Sequence, residues 1–101
     1  MDPRPIELHP RAVAEAREAR QWYEKRSAGA AAAFVAELDA AINCICSAPA
    51  RWPAYLHGTR RYLLKRFPYV VVYRETATAL QVIAVAHGRR RPGYWQRRLN
   101  S

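Results

Sequence analysis

The sequence predicts an α+β domain: a short N-terminal strand and an antiparallel helix hairpin packed on a small antiparallel β-sheet. Three observations predict it. Residues 10–46 hold two stretches of good helix formers, separated by Ser27-Ala28-Gly29. Residues 60–87 hold three runs rich in β-branched and aromatic residues, joined by two short turns. The whole chain is 101 residues, enough for one modest core and too few for two, so residues 1–101 are read as one domain.

Taken in order, Ile6-Glu7-Leu8-His9 alternates over too few residues for more than a small edge strand. Pro10 opens the first helix, because proline at the first helical position loses no hydrogen bond and already has a helical φ. That helix is expected to run to about Arg26, with Val13, Ala16, Ala19, Arg20 and Tyr23 on one face. Glu15, Arg17, Glu18, Glu24 and Lys25 read as solvated charge. In the second helix, from about Ala30 to Cys46, Phe34, Leu38, Ala41, Ile42 and Ile45 form an apolar stripe. The short joint predicts an antiparallel pair. A proline-punctuated connector follows, with Trp52 and Tyr55 expected to cap the layer between helices and sheet. The strands are expected at Arg60–Phe67, Tyr69–Glu75 and Leu80–His87. The third alternates Leu80, Val82, Ala84 and Ala86 against Gln81, Ile83, Val85 and His87. A basic tail, 88–101, closes the chain. No run approaches 18 apolar residues, so no membrane span is expected. MDPRPIELHP lacks the apolar core of a signal peptide, which makes the cytoplasm the expected location.

Charge is distributed unevenly. Residues 1–50 hold six Lys and Arg against seven Asp and Glu, whereas residues 51–101 hold eleven against one, Glu75. A field this one-sided draws a polyanion to one surface: RNA, DNA or an acidic protein segment. Arg61, Lys65, Arg66, Arg74, Arg89, Arg90 and Arg91 are the candidate polyanion- or target-binding residues.

The motifs for acyl transfer and nucleotide binding (GxSxG, GxxxxGK[ST] and GxGxxG) are missing from the sequence. The basic half holds two histidines, His57 and His87, and one acid, which is not a metal-binding cluster, so no metal and no cofactor is expected. Cys44 and Cys46, two positions apart on a helix, point about 200° from each other and read as small apolar residues at the core edge. What remains suits metal-free RNA cleavage. There the ribose 2′-hydroxyl attacks the adjacent phosphate, a base takes its proton, a cation steadies the phosphorane and an acid protonates the leaving oxygen. Histidine is the acid–base group for neutral pH, and arginine forks onto phosphate. His87, Arg61, Lys65, Arg66 and Arg74 are expected to converge on the exposed sheet face. Two blander readings stay open: the arginines bind a polyanion without catalysis, and His87 is structural. Tyr94 and Trp95 either stack on bases or lock the C-terminus onto the core.

The order of short strand, helix hairpin, RRYLLKRFPYVVVY, VIAVAHGRR and PGYW resembles the RelE/ParE superfamily of bacterial toxins, which includes the plasmid stabilisation proteins. The likeness spans Ile6 to about Arg98. It implies the fold above, a growth-inhibiting function within a type II toxin–antitoxin module, and a small antitoxin partner in a hetero-oligomer. The two branches imply different targets. A RelE-like chain cleaves mRNA at the ribosome; carried over here, Arg61, Lys65 and Arg66 hold phosphate, His87 is the acid–base residue and Tyr94 assists. A ParE-like chain poisons DNA gyrase. Val70 stands where the RelE-like branch often has an arginine, and the PGYW tail is unlike that of the nucleases, so the chain is read as ParE-like. RelE-like endoribonuclease is the alternative. A non-toxic nucleic-acid-binding module is the third reading.

Overall fold

A computed structural model describes residues 4–100; Met1, Asp2, Pro3 and Ser101 lie outside the described residues. Strand β1 (Ile6–Leu8) leads into helices α1 (Pro10–Glu24) and α2 (Ala28–Ser47), and then come strands β2 (Arg60–Leu63), β3 (Tyr69–Glu75) and β4 (Leu80–His87). Short 3₁₀ turns occupy Pro49–Arg51, Leu56–Gly58 and Gln96–Asn100. The sheet order is β1-β4-β3-β2. Strands β2, β3 and β4 pair antiparallel as expected. The edge strand β1 joins β4 in parallel, which makes the sheet mixed rather than wholly antiparallel. The junction continues into the helix: the His9 amide donates to the Val82 carbonyl at 2.9 Å.

The helix boundaries follow their caps. His9 Nδ1 accepts the Arg11 amide, with Pro10 at the first helical position. Ser27 Oγ accepts the Ala30 amide at 2.9 Å, so α2 begins at Ala28, two residues earlier than its pattern predicted. The α2 stripe of Phe34, Leu38, Ala41 and Ile45 is buried. On α1 the inward face is rotated by one position. Ala12 and Ala19 are buried and Ala16 and Tyr23 pack against them, whereas Val13 and Arg20 are exposed. Helix α2 is the one described helix long and apolar enough, by length and composition alone, to cross a membrane; here its stripe packs on the sheet. Cys44 and Cys46 are free and exposed rather than at the core edge.

Three further differences shape the functional surface. First, β2 stops at Leu63 instead of reaching Phe67. The Glu37 carboxylate, reaching over from α2, accepts the amides of Lys65 and Arg66 that a ladder would otherwise use, and Pro68 has no amide to offer. Lys65 and Arg66 therefore lie in a loop. Second, the sheet's other face is covered. Trp95 is 1% exposed and packs on Val72, Ile83, Ala84 and Ala86. Trp52 caps the helix side against Tyr62 as expected, but Tyr55 lies on the far face beside Trp95, because the chain rounds the sheet edge between them at the Ala54–Arg60 bridge. Third, β4 contains a bulge. Val72 pairs with Ala84 and Tyr73 with Val82, which leaves Ile83 unpaired. The helix-facing set is thus Leu80, Val82 and Val85, while Ile83, Ala84 and Ala86 face the tail. Simple alternation assigned Ala84, Val85, Ala86 and His87 to the wrong sides.

Candidate functional site

The bulge decides where His87 stands. It is opposite Tyr69, whose ring meets the imidazole edge-on at 5.1 Å, on the side that carries α1. His87 Nδ1 accepts the Arg89 amide at 3.0 Å. Together with Tyr23, Tyr69, Arg89, Arg90 and Tyr94, His87 lines a groove of about 470 Å³ between α1 and the ends of β3 and β4. Trp22, half exposed, stands at the same groove with Arg26 stacked 3.3 Å over its ring.

The arginines do not converge on one exposed face. Arg66 Nε pairs with Glu37 at 3.2 Å in the loop beside α2. Two backbone amides also converge on that carboxylate; burial pushes its pKa up, but the Arg66 and Lys65 amides and the Arg66 guanidinium outweigh it and hold the pKa below the ordinary value. Arg74 is on the tail-covered face near the other end of the sheet. Its Nε donates to Gln81 and its Nη2 to the Leu99 carbonyl, at 2.8 and 2.9 Å. Arg61, opposite Val72, lies on that same covered face with its guanidinium 4.7 Å over the Tyr55 ring. Arg61, Arg90 and Arg91 line a cavity of about 160 Å³ there together with His87 and Tyr94, with Val70, Val72 and Ala86 forming its apolar wall. Arg89, Arg90 and Arg91 are exposed, as are Lys65 and Arg66. Two separate basic surfaces result, one on the Lys65–Arg66 loop and one on the tail.

Tyr94 is committed elsewhere. Its hydroxyl donates to Glu15 Oε2, and burial, followed by this bond, pushes its pKa well above the phenol value. Arg98 binds both oxygens of Glu15, and the Val85 amide donates to Oε1 at 3.0 Å. Arg98 also donates to the Ile83 carbonyl, the one beside the bulge. Glu15, expected to be solvated, is instead the anchor of the tail. The sequence held one signal for this: seven of the eight acids lie in residues 1–50, which is where an internal partner for a buried tail arginine is to be sought.

No group of His, Cys, Asp and Glu that could hold a metal ion occurs among the described residues. Residues 6–92 match the family model described as the ParE toxin of the type II toxin–antitoxin system, parDE. No curated protein matches the chain. Among solved structures the fold is similar to a chain described as the chromosomal ParDE TA system from P. aeruginosa. The TM-score is 0.71 at 16% identity, covering 83% of this chain and 95% of that one. A family match across residues 6–92, carried on the fold just described, places this chain in the ParE toxin family of type II toxin–antitoxin systems.

Proposed function

We propose that this toxin arrests growth by binding DNA gyrase, is neutralised by a cognate antitoxin in a hetero-oligomer, and does not cleave RNA. One observation carries the second half of this reading: most of the groups assigned to transesterification are engaged within the chain. Arg74 is bound to Gln81 and to the Leu99 carbonyl, and Arg66 is held by Glu37 in a loop; of the assigned residues only His87, Arg61 and Tyr94 share the small cavity under the tail. The Tyr94 hydroxyl is occupied by Glu15, and its raised pKa makes it a poor proton donor near neutrality. General acid–base catalysis needs acid, base and cation within reach of one phosphate. The exposed arginines 89–91 are suited to engaging an acidic partner surface, and the absence of an arginine at Val70 fits the same reading.

The RelE-like alternative draws support from two features: His87 shares the α1 groove with Arg89 and Arg90, and it also lines the cavity that holds Arg61, Arg90 and Arg91. Two measurements on induced cells separate the readings. Inhibited supercoiling by gyrase with intact mRNA, unchanged in His87→Ala, is the expected result. Primer extension showing codon-register cuts that vanish in His87→Ala would replace gyrase with mRNA as the target. Normal growth at confirmed expression of folded chain would defeat both.

A further inference from the structure

We propose that the cavity on the tail-covered face is a socket for one carboxylate side chain presented by a protein partner. Arg61 Nε is buried there with no hydrogen-bond partner. Taking a charged donor out of water without an acceptor is costly, and folded proteins leave few such groups. Neighbouring arginines are supplied from within the chain: Arg60 by the Trp52 carbonyl, Arg74 by Gln81 and Leu99, Arg98 by Glu15. Arg61 shares its cavity with Arg90 and Arg91, and no carboxylate among the described residues lines it. Within the chain the guanidinium meets only the Tyr55 ring, so an acceptor brought by a partner would complete its hydrogen bonding.

The walls select the kind of acceptor. A guanidinium fork matches a planar carboxylate, two nitrogens to two oxygens. Val70, Val72 and Ala86 offer contact to a methylene stem, opposite the polar groups of His87, Arg90 and Arg91. The volume of about 160 Å³ falls well below the roughly 300 Å³ or more of pockets that take nucleotide- or drug-sized ligands. A single Asp or Glu side chain fits these terms better than a nucleotide phosphate does. The proposal deepens the function above by naming the chemistry of a partner contact, and it rests on that reading only for the partner's being a protein.

The test is a titration of nitrogen-labelled full-length chain with N-acetylglutamate methylamide, following the arginine Nε–H resonances. Inorganic phosphate and oligothymidylate are titrated in parallel at the same ionic strength. A saturable shift of the Arg61 resonance with the glutamate probe is expected, weaker with the other two. The resonance missing from Arg61→Lys assigns the Arg61 signal, and Arg97→Lys, at an exposed position outside the cavity, should keep the response. Ala86→Leu, which fills the cavity without touching the charge, should abolish it. No saturable shift, tighter saturation by phosphate or the oligonucleotide, or an unaltered response in Ala86→Leu would each overturn the socket. Growth arrest is scored separately, so a failed socket leaves the toxin reading standing, and a harmless chain with an intact titration sinks only the latter.

Discussion

Glu15 and Arg98, 83 positions apart, form a two-pronged ion pair: Nη1 lies 2.8 Å from Oε1 and Nη2 3.0 Å from Oε2. The two side chains are 14% and 10% exposed, so both charges are largely removed from water. This pair ties the end of the chain to α1 and, through Val85, to the centre of the sheet. Removing one partner strands the other. Glu15→Ala is therefore expected to cost about 3 kcal/mol, by the usual penalty for breaking a buried pair. Urea unfolding checks the value, and faster amide exchange at residues 94–99 checks that the tail is what loosens.

Tyr94 supplies a milder cut at the same anchor. Tyr94→Phe keeps the ring beneath Arg90 and removes only the hydroxyl bond to Glu15. A loss of about 1–2 kcal/mol is expected, as for one hydrogen bond to a charged acceptor. Growth arrest should persist in this variant at matched expression. A collapse of toxicity with retained stability would make Tyr94 a working residue after all.

The tryptophans separate burial from exposure. Trp95, 1% exposed, fills the face opposite the helices, and Gly93 at φ +82° makes the turn that delivers it. Trp95→Ala is expected to cost about 3–5 kcal/mol. Trp22 is 49% exposed, and Trp22→Ala should stay within about 0.5 kcal/mol. Similar losses at the two positions would contradict the packing described.

Glu37 predicts an acid dependence. Its pKa lies below the ordinary value of 4.5, because hydrogen bonds from Arg66 and Lys65 outweigh the opposing effect of burial. A carboxylate with a depressed folded-state pKa contributes stability that is complete above its unfolded value and is lost as pH falls through the folded one. Glu37→Gln removes that charge-dependent part. The stability gap between wild type and variant, from urea unfolding, should be widest near neutrality and shrink as pH falls below 4.5. A gap that grows in acid has the wrong sign for this account.

How much of this was legible in the sequence depended on the range of the signals. Local ones worked. The α2 stripe, proline at the start of α1 and the three strand runs all follow from neighbouring residues. The side of the sheet that each arginine occupies did not, because it turns on contacts remote in sequence. Glu37 ends β2 early from 28 positions away, and Glu15 recruits Tyr94 across 79. Parity counting along β4 failed for a different reason. The sequence from Leu80 to Ala86 is apolar on both phases save Gln81, so nothing marks the place where a bulge shifts the phase. The candidate residues were individually basic and available, but their convergence on one face depended on those same remote contacts.

The unpaired Ile83 means that β4 spends one residue more than its pairing with β3 consumes. Chain length at that point is therefore decoupled from aim. Excising one residue at Ile83 or Ala84 would straighten the ladder and leave Val85, Ala86 and His87 opposite their present partners. A one-residue loss between Ala86 and Gly88 has no such reserve to draw on and would turn the arginine-rich tail about the strand axis. The extra residue at Ile83 thus sets which side of the sheet Val85, Ala86 and His87 face, and with it where the basic tail is launched.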